Sequence, residues 1–336
     1  MENRPDNSIQ RILVVRLSAI GDVCHAMAVV ARVQEHYPHA EITWITSPLE
    51  ANLVRLLPNI NVVEYNKKSG IKGMFSLRQA LKGISYDVLL HMQWSLRASF
   101  LSRMVRARRR IGFSKSFSRE KQHWFVNEFA STPKGTHVLD SLLSIAAPLG
   151  IESPMIPCSL ALPNWSGELP EDYVVLNPSA SKAERNWTVK GYSAVIAYLK
   201  ENNQNVVLTG GPSEEEQALA ASLRADGVID LTGKTSLPEM MSILGKAKLV
   251  ISPDTGPAHM ATLVGTPVLG LYAHSNPLRT GPYRDLEHVV SVYESLALKE
   301  YGKPVELLPW ASRVHDPKAM HYIEESDVLA QLARLI

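Results

Sequence analysis

Short β-branched runs alternate along the first half of the chain with stretches whose apolar residues recur every three or four positions. "RILVVRL" (residues 11–17) is followed by a helical pattern over 23–37. "EITWITS" leads to one over 50–57, "VVEY" to one over 74–82, and "YDVLLHM" closes the series before a helix over 136–149. Period-two or continuous apolar runs flanked by helical periods predict a βαβα chain with a parallel sheet covered on both faces.

Residues 151–172 interrupt this rhythm with several prolines and read as a connection between domains. A second series then begins. "YVVLNPS", "NVVLTGG", "VIDLTG", "KLVISPD" and "PVLGLY" alternate with helical patterns over 189–201, 213–225, 237–247 and 257–264. The final "IEESDVLAQLARLI" is an amphipathic helix with Ser326 as its expected N-cap and Asp327 in its first turn. The predicted fold class is therefore α/β, with Rossmann-like domains over residues 1–160 and 161–320 and a terminal helix over 321–336. Open sheets of this kind bind ligands outside the carboxyl ends of their strands, so two facing domains would form an interdomain cleft there.

The composition narrows the function. The 336 residues are 45% hydrophobic and carry 35 Lys and Arg against 33 Asp and Glu, a net charge of +2. So mild a balance does not point to nucleic acid as a partner, and any electrostatic function must be local. Two cysteines, Cys24 and Cys158, offer no disulfide framework or metal-ligand spacing, and a reducing cytoplasm is the expected compartment. The polar start "MENRPDNSIQ" lacks the apolar core of a signal peptide, and no window reaches the length of a membrane span.

The segment "ISPDTGPAHMATLVGTPVLGLY" is the most informative. A strand ends at Asp254, Thr255 and Gly256 make a turn, and Pro257 suits the first helical position. Free amides at such a helix start form an anion site suited to phosphate, though an ordinary βα turn has the same spacing. "VVLTGGPSEEE" repeats the logic, with Gly210 and Gly211 able to take positive φ or to admit a ligand. Neither this turn nor "SAIGDV" matches a dinucleotide or P-loop pattern. In "SAIGDV" the carboxylate of Asp22 sits where a strand hands over to a helix, a place the helix dipole also favours.

Taken together, "RLSAIGDVCHAM", "LNPSASKAERNW", "VVLTGGPSEEE", "LTGKTSL" and "SPDTGPAHMATLVGTPVLGLY" resemble the heptosyltransferases of glycosyltransferase family 9. The resemblance implies a GT-B type fold, with an acceptor-binding first domain, a nucleotide-sugar-binding second domain and a C-terminal helix that crosses back to the first. It implies inverting transfer of a heptose from a nucleotide-diphosphate sugar, ADP-heptose foremost, to an anionic glycolipid of the lipopolysaccharide core, with no cofactor and no metal. Asp22 would be the general base, since a sugar hydroxyl attacks well only as its proton is removed. Ser18, Gly21 and Arg97, the last from "MQWSLRASFLSR", fall to the acceptor. Ser179, Ser181, Thr209, Gly210, Gly211, Asp254, Thr255, Gly256 and Pro257 fall to the donor, and His259 is assigned binding rather than catalysis. Arg185, two residues before Trp187, stands where the family commonly has lysine and would pair with the diphosphate.

Other departures concern specificity. "AHSNPLRTGPY" places His274, Ser275 and Asn276 where many relatives read "GPTDP", and Trp94 replaces a small residue in the acceptor domain. The stretch 103–121, "RMVRARRRIGFSKSFSREK", holds eight Lys or Arg against one Glu. It reads either as a charged helix end and solvated loop or, through Arg108, Arg109 and Arg110, as a contact for an anionic acceptor at the cytoplasmic face of the inner membrane. Two rival readings stay open: a nucleotide-sugar epimerase on the same two-domain plan, and a catalytically silent sugar-nucleotide-binding protein.

Overall fold

A computed structural model describes residues 8–336; the first seven residues of the polar N-terminal segment lie outside it. The chain divides between Ala161 and Leu162 into two compact units. The first contains β1 (Arg11–Val15), α1 (Ile20–His36), β2 (Glu41–Thr46), α2 (Pro48–Val54), β3 (Ile60–Glu64), α3 (Gly70–Ala80), β4 (Ser85–His91), α4 (Leu96–Arg103), β5 (Arg106–Gly112), β6 (Glu128–Phe129) and α5 (Val138–Ala146). Its strands form one sheet in the order β3-β2-β1-β4-β5-β6, and every neighbouring pair is parallel. Leu13, Val15 and Leu89 on one sheet face pack with Leu77 and Leu81 beside α3 and with Ala98 and Leu101 of α4. β1 from Ile12 to Val15 and β4 from Val88 to Leu90 are continuous apolar runs because the middle of a strand covered on both faces is buried on both.

The second unit contains β7 (Tyr173–Leu176), α6 (Val189–Glu201), β8 (Asn205–Leu208), α7 (Glu214–Ser222), β9 (Val228–Asp230), α8 (Leu237–Lys246), β10 (Leu249–Pro253), α9 (Gly256–Val264), β11 (Val268–Tyr272), α10 (Pro277–Thr280), β12 (Val290–Ser291), α11 (Tyr293–Tyr301) and α12 (Glu325–Leu332). Its parallel sheet runs β12-β11-β10-β7-β8-β9. Counted from its own first strand, each sheet has the order 3-2-1-4-5-6 of a Rossmann fold, so the expected α/β class with two Rossmann-like units holds. The order reverses between β1 and β4 in one sheet and between β7 and β10 in the other. Beyond the carboxyl ends of strands at such a point a crevice opens, and ligands bind there.

Two expectations change. The last helix lies on α6 and β12, with Val328 and Leu332 fully buried in the second unit's core. Its N-cap is Glu324, which puts Ser326 inside the first turn. The basic stretch is neither a helix end nor a loop over its middle, because it contains the whole of β5.

Candidate active site

Each unit gathers polar side chains at the switch point of its own sheet. In the first, β1 is extended by Arg16 and Leu17, both buried, before α1 begins at Ile20. Asp22 is the third residue of that helix. Its Oδ2 accepts from Ala19 N–H at 3.4 Å, as a capping carboxylate does, and pairs closely with Arg16 Nη2. The Arg16 guanidinium is only 4% exposed and also donates through Nη1 to Met92 O at 2.6 Å, just past β4. A buried guanidinium held at two points fixes the direction of the carboxylate it pairs with. Asp22 itself is 37% exposed, and among the described residues nothing pairs with Oδ1, so that oxygen is open to a reactant.

Neighbouring groups complete the arrangement. Gln93 Oε1 accepts from Leu17 N–H at 2.6 Å, and Lys67 Nζ donates to Ser18 Oγ. Ser18, Gly21 and Asp22 thus lie close together at this edge, with Gly21 an ordinary helical residue of α1. Arg97 is exposed at the start of α4, which leaves the same carboxyl edge after β4.

Arg108, Arg109 and Arg110 are not part of this cluster. The register sets Arg109 level with Val88 and hence with Ile12, near the amino end of β1, three residues or about 10 Å before Val15. Arg109 forks onto Glu128 with two bonds of 2.8 Å, and Arg110 is 8% exposed, donating to Ser102 O and Val105 O at the end of α4. Two of the three guanidiniums assigned to the acceptor are thus engaged within their own unit.

In the second unit the carboxyl ends of β7, β8, β10 and β11 converge. Asp254, 9% exposed, receives Ser275 Oγ on Oδ2, and its Oδ1 lies 3.8 Å from His259 Nε2. Arg185 Nη1 donates to Asp254 O at 3.3 Å and stands 3.9 Å from Oδ2. Burial alone would raise the Asp254 pKa; the neighbouring His259, with Ser275 and Arg185, outweighs it and holds the carboxyl below the usual carboxylate range. Thr255 is the N-cap of α9, with no side-chain capping bond, and Pro257 follows Gly256 in the first turn. No side chain caps this helix start, Ala258 N–H bonds to Thr255 O at 3.2 Å, and the helix dipole favours an anion at such an end.

The turn after β8 differs from expectation. Gly210 and Gly211 do not take positive φ; instead the side chain of Glu216 fills the turn. Its Oε1 accepts from Gly211 N–H at 2.9 Å and from Ser179 Oγ at 3.1 Å, and a Cβ at Gly211 would lie 2.5 Å from Oε2. Thr209 is fully buried with its hydroxyl 3.4 Å from Asn177 Oδ1. Ser179 and Thr209 therefore spend their hydroxyls inside the unit, whereas Ser181 is exposed. Sequence reasoning missed Arg16, Gln93, Lys67 and Glu216. Arg16 had a signal, since a lone charge in a buried apolar run must be paired; Glu216 was hidden as the third residue of an "SEEE" helix start.

Comparison with known proteins agrees with this architecture. The model of glycosyltransferase family 9 (heptosyltransferase) matches residues 74–310, and the chain belongs to that family. It is 40% identical over 334 residues to the Haemophilus influenzae protein named lipopolysaccharide core heptosyltransferase OpsX, covering 96% of each chain. Lipopolysaccharide heptosyltransferase 1 of Escherichia coli K12 is 22% identical over 290 residues, 81% of this chain and 91% of that one. Among solved structures, a family 9 glycosyl transferase from Veillonella parvula superposes with a TM-score of 0.77 at 21% identity over 100% of this chain and 98% of that one. E. coli heptosyltransferase WaaC with ADP gives 0.72 at 21% identity, over 84% and 92%.

Proposed function

We propose that this glycosyltransferase moves a heptose from ADP-heptose to a lipopolysaccharide core acceptor, with inversion and without a metal, at the cytoplasmic face of the inner membrane. The observation that carries the reading is the Asp22 carboxylate, anchored through Oδ2 by a buried arginine and open at Oδ1, at the switch point of the first sheet. The relationship to OpsX over nearly the whole of both chains supports heptose and the core acceptor.

In the reaction Asp22 Oδ1 takes the proton of the acceptor hydroxyl as its oxygen bonds to the anomeric carbon. The bond from that carbon to the diphosphate breaks on the opposite face, and ADP leaves with the electron pair. The charge that develops on the diphosphate falls to the first amides of α9 and to Arg185, groups already oriented before the reaction. That electrostatic provision is the ground for proposing turnover without a divalent cation.

Asp22→Asn keeps the shape and removes the basic oxygen. Transfer is expected to fall by about 10²–10⁴-fold, while calorimetric titration gives an unchanged donor affinity. Near-normal turnover would refute the assignment. Product analysis of donor incubated alone separates the epimerase reading, which needs no acceptor to convert the sugar.

A further inference from the structure

Helices α3 and α4 cover one face of the first sheet and share an outward pattern. In α3 the buried side is Met74 and Leu77, continued by Leu81, so Ile71, Phe75, Arg78 and Lys82 fall on one outer stripe; Ile71 is 71% and Phe75 61% exposed. In α4 the buried side is Ala98 and Leu101, which turns Leu96, Phe100 and Arg103 outward. Each stripe begins apolar at the carboxyl edge of the sheet and ends basic. Trp124, 65% exposed, joins the same layer: Lys121 Nζ lies 4.7 Å over its ring, and the adjacent Phe125 stacks edge-on with Phe100 at 5.2 Å.

Charge follows the same face. Residues 67–82 contain five Lys or Arg and no Asp or Glu. At the end of α4 an open cavity of about 560 Å³ is lined by Arg103, Arg106, Arg108 and Arg110, with no carboxylate among its lining residues. Burial and the neighbouring charge of Arg103 both push the Arg110 pKa down, as expected for a cluster without a compensating acid. The balance is domain-wide: residues 1–161 carry 20 Lys and Arg against 12 Asp and Glu, net +8, and residues 162–336 carry 15 against 21, net −6.

We infer that the α3–α4 face of the first unit docks on an anionic phospholipid bilayer, with Ile71, Phe75, Leu96, Phe100 and Trp124 entering the interface and the arginine cavity taking lipid phosphates. Exposed apolar side chains flanked by Lys and Arg are what a helix lying in a bilayer surface presents. A second copy is the poorer occupant, because a two-fold contact would set the same excess of cations against itself. The inference rests on the proposed lipid-linked acceptor only for its purpose, and it is tested apart from turnover.

The full chain is floated with vesicles of phosphatidylglycerol and phosphatidylethanolamine, and with vesicles of phosphatidylcholine alone, at low and high salt. The parent is expected to bind the anionic vesicles and release them at high salt. Ile71→Ser with Phe75→Ser lowers that affinity by about tenfold or more. Arg103→Gln with Arg106→Gln lowers it by about fivefold per charge at low salt only. All four residues are exposed, and both double variants keep parental turnover on an acyl-free, water-soluble acceptor. Equal vesicle binding by parent and both variants overturns the inference, as does equal parental binding to neutral vesicles. Self-association abolished by the serine variant, without any vesicle binding, reassigns the face to a second copy. Vesicle binding with no parental turnover on the soluble acceptor counts against the proposed function and leaves the docking face standing.

Discussion

His274 shows how much one substitution can organise. Its ring is 6% exposed, Nδ1 faces Val314 O and Nε2 faces Glu184 O, each at 2.9 Å. Carbonyl oxygens only accept, so each of these contacts calls for a ring N–H as donor. Glu184 precedes Arg185, whose guanidinium reaches Asp254, and the next residue, Ser275, bonds the Asp254 carboxylate directly. His274 and Ser275 thus brace the Arg185–Asp254 cluster at the carboxyl end of the second sheet. His274→Ala leaves the Val314 and Glu184 carbonyls without this partner. Donor KM is expected to rise about tenfold with kcat changed less than about threefold, against an unchanged acceptor KM. Parental donor KM in a variant that melts normally would show that Arg185 is held without it.

At the scale of elements, the exits of β4 and β5 are tied by a buried amide and imidazole. Gln122 Nε2 shares its two hydrogens among His91 Nδ1 at 3.0 Å, His91 O and Gln93 O, and His91 Nε2 lies 3.1 Å from Ser99 Oγ. The network fixes the Gln93 backbone, whose side chain braces Leu17 beside Asp22. Burial depresses the His91 pKa to about 3, with a smaller contribution from the charge of Arg110. The folded state therefore keeps the ring neutral while the unfolded chain protonates below about 6.5, so stability falls as pH drops from about 6.5 toward 3 and is flat above. Between pH 7 and 5 this group costs about 2 kcal/mol. Urea unfolding of His91→Gln is expected to show a pH dependence shallower than the parent's by that amount. Equal dependence would mean that His91 takes up its proton in the fold.

For the whole molecule, the net charge of +2 conceals opposite charges on the two units. Each unit also has its own hydrophobic core, and the second is closed by its own terminal segment: Trp187 Nε1 donates to Ile323 O at 3.1 Å, and Val328 and Leu332 are fully buried. A unit with a complete core folds by itself. Residues 162–336 expressed alone are expected to unfold cooperatively and to bind ADP within about tenfold of the full chain's affinity. An aggregated or non-binding fragment would show that the donor site needs the first unit. Ending the chain at residue 320 should by contrast unfold the fragment, since it strips Ile323, Val328 and Leu332 from the core.

The alternation of apolar runs and helical periods was enough to place most strands and the boundary near residue 161, because a parallel sheet buried on both faces writes itself as continuous β-branched runs. The helix over 189–201 was legible to the residue, whereas the helix expected from residue 23 begins at Ile20 and takes Asp22 into its first turn. What was local but masked by charge was not legible: β5 reads as a basic loop because four of its seven residues are arginine. Which arginine turns inward to α4, which forks onto Glu128 and which line a cavity depends on strand register and on partners 5 to 19 residues away, and no spacing rule contains those. Arg16 and Glu216 likewise gain their roles from groups brought near by the sheet order, Met92 for one and Ser179 for the other. Chain chemistry decides which residues can act. Only the packed sheets decide which of them remain unspent, because every buried charge and hydroxyl must first satisfy its own neighbours.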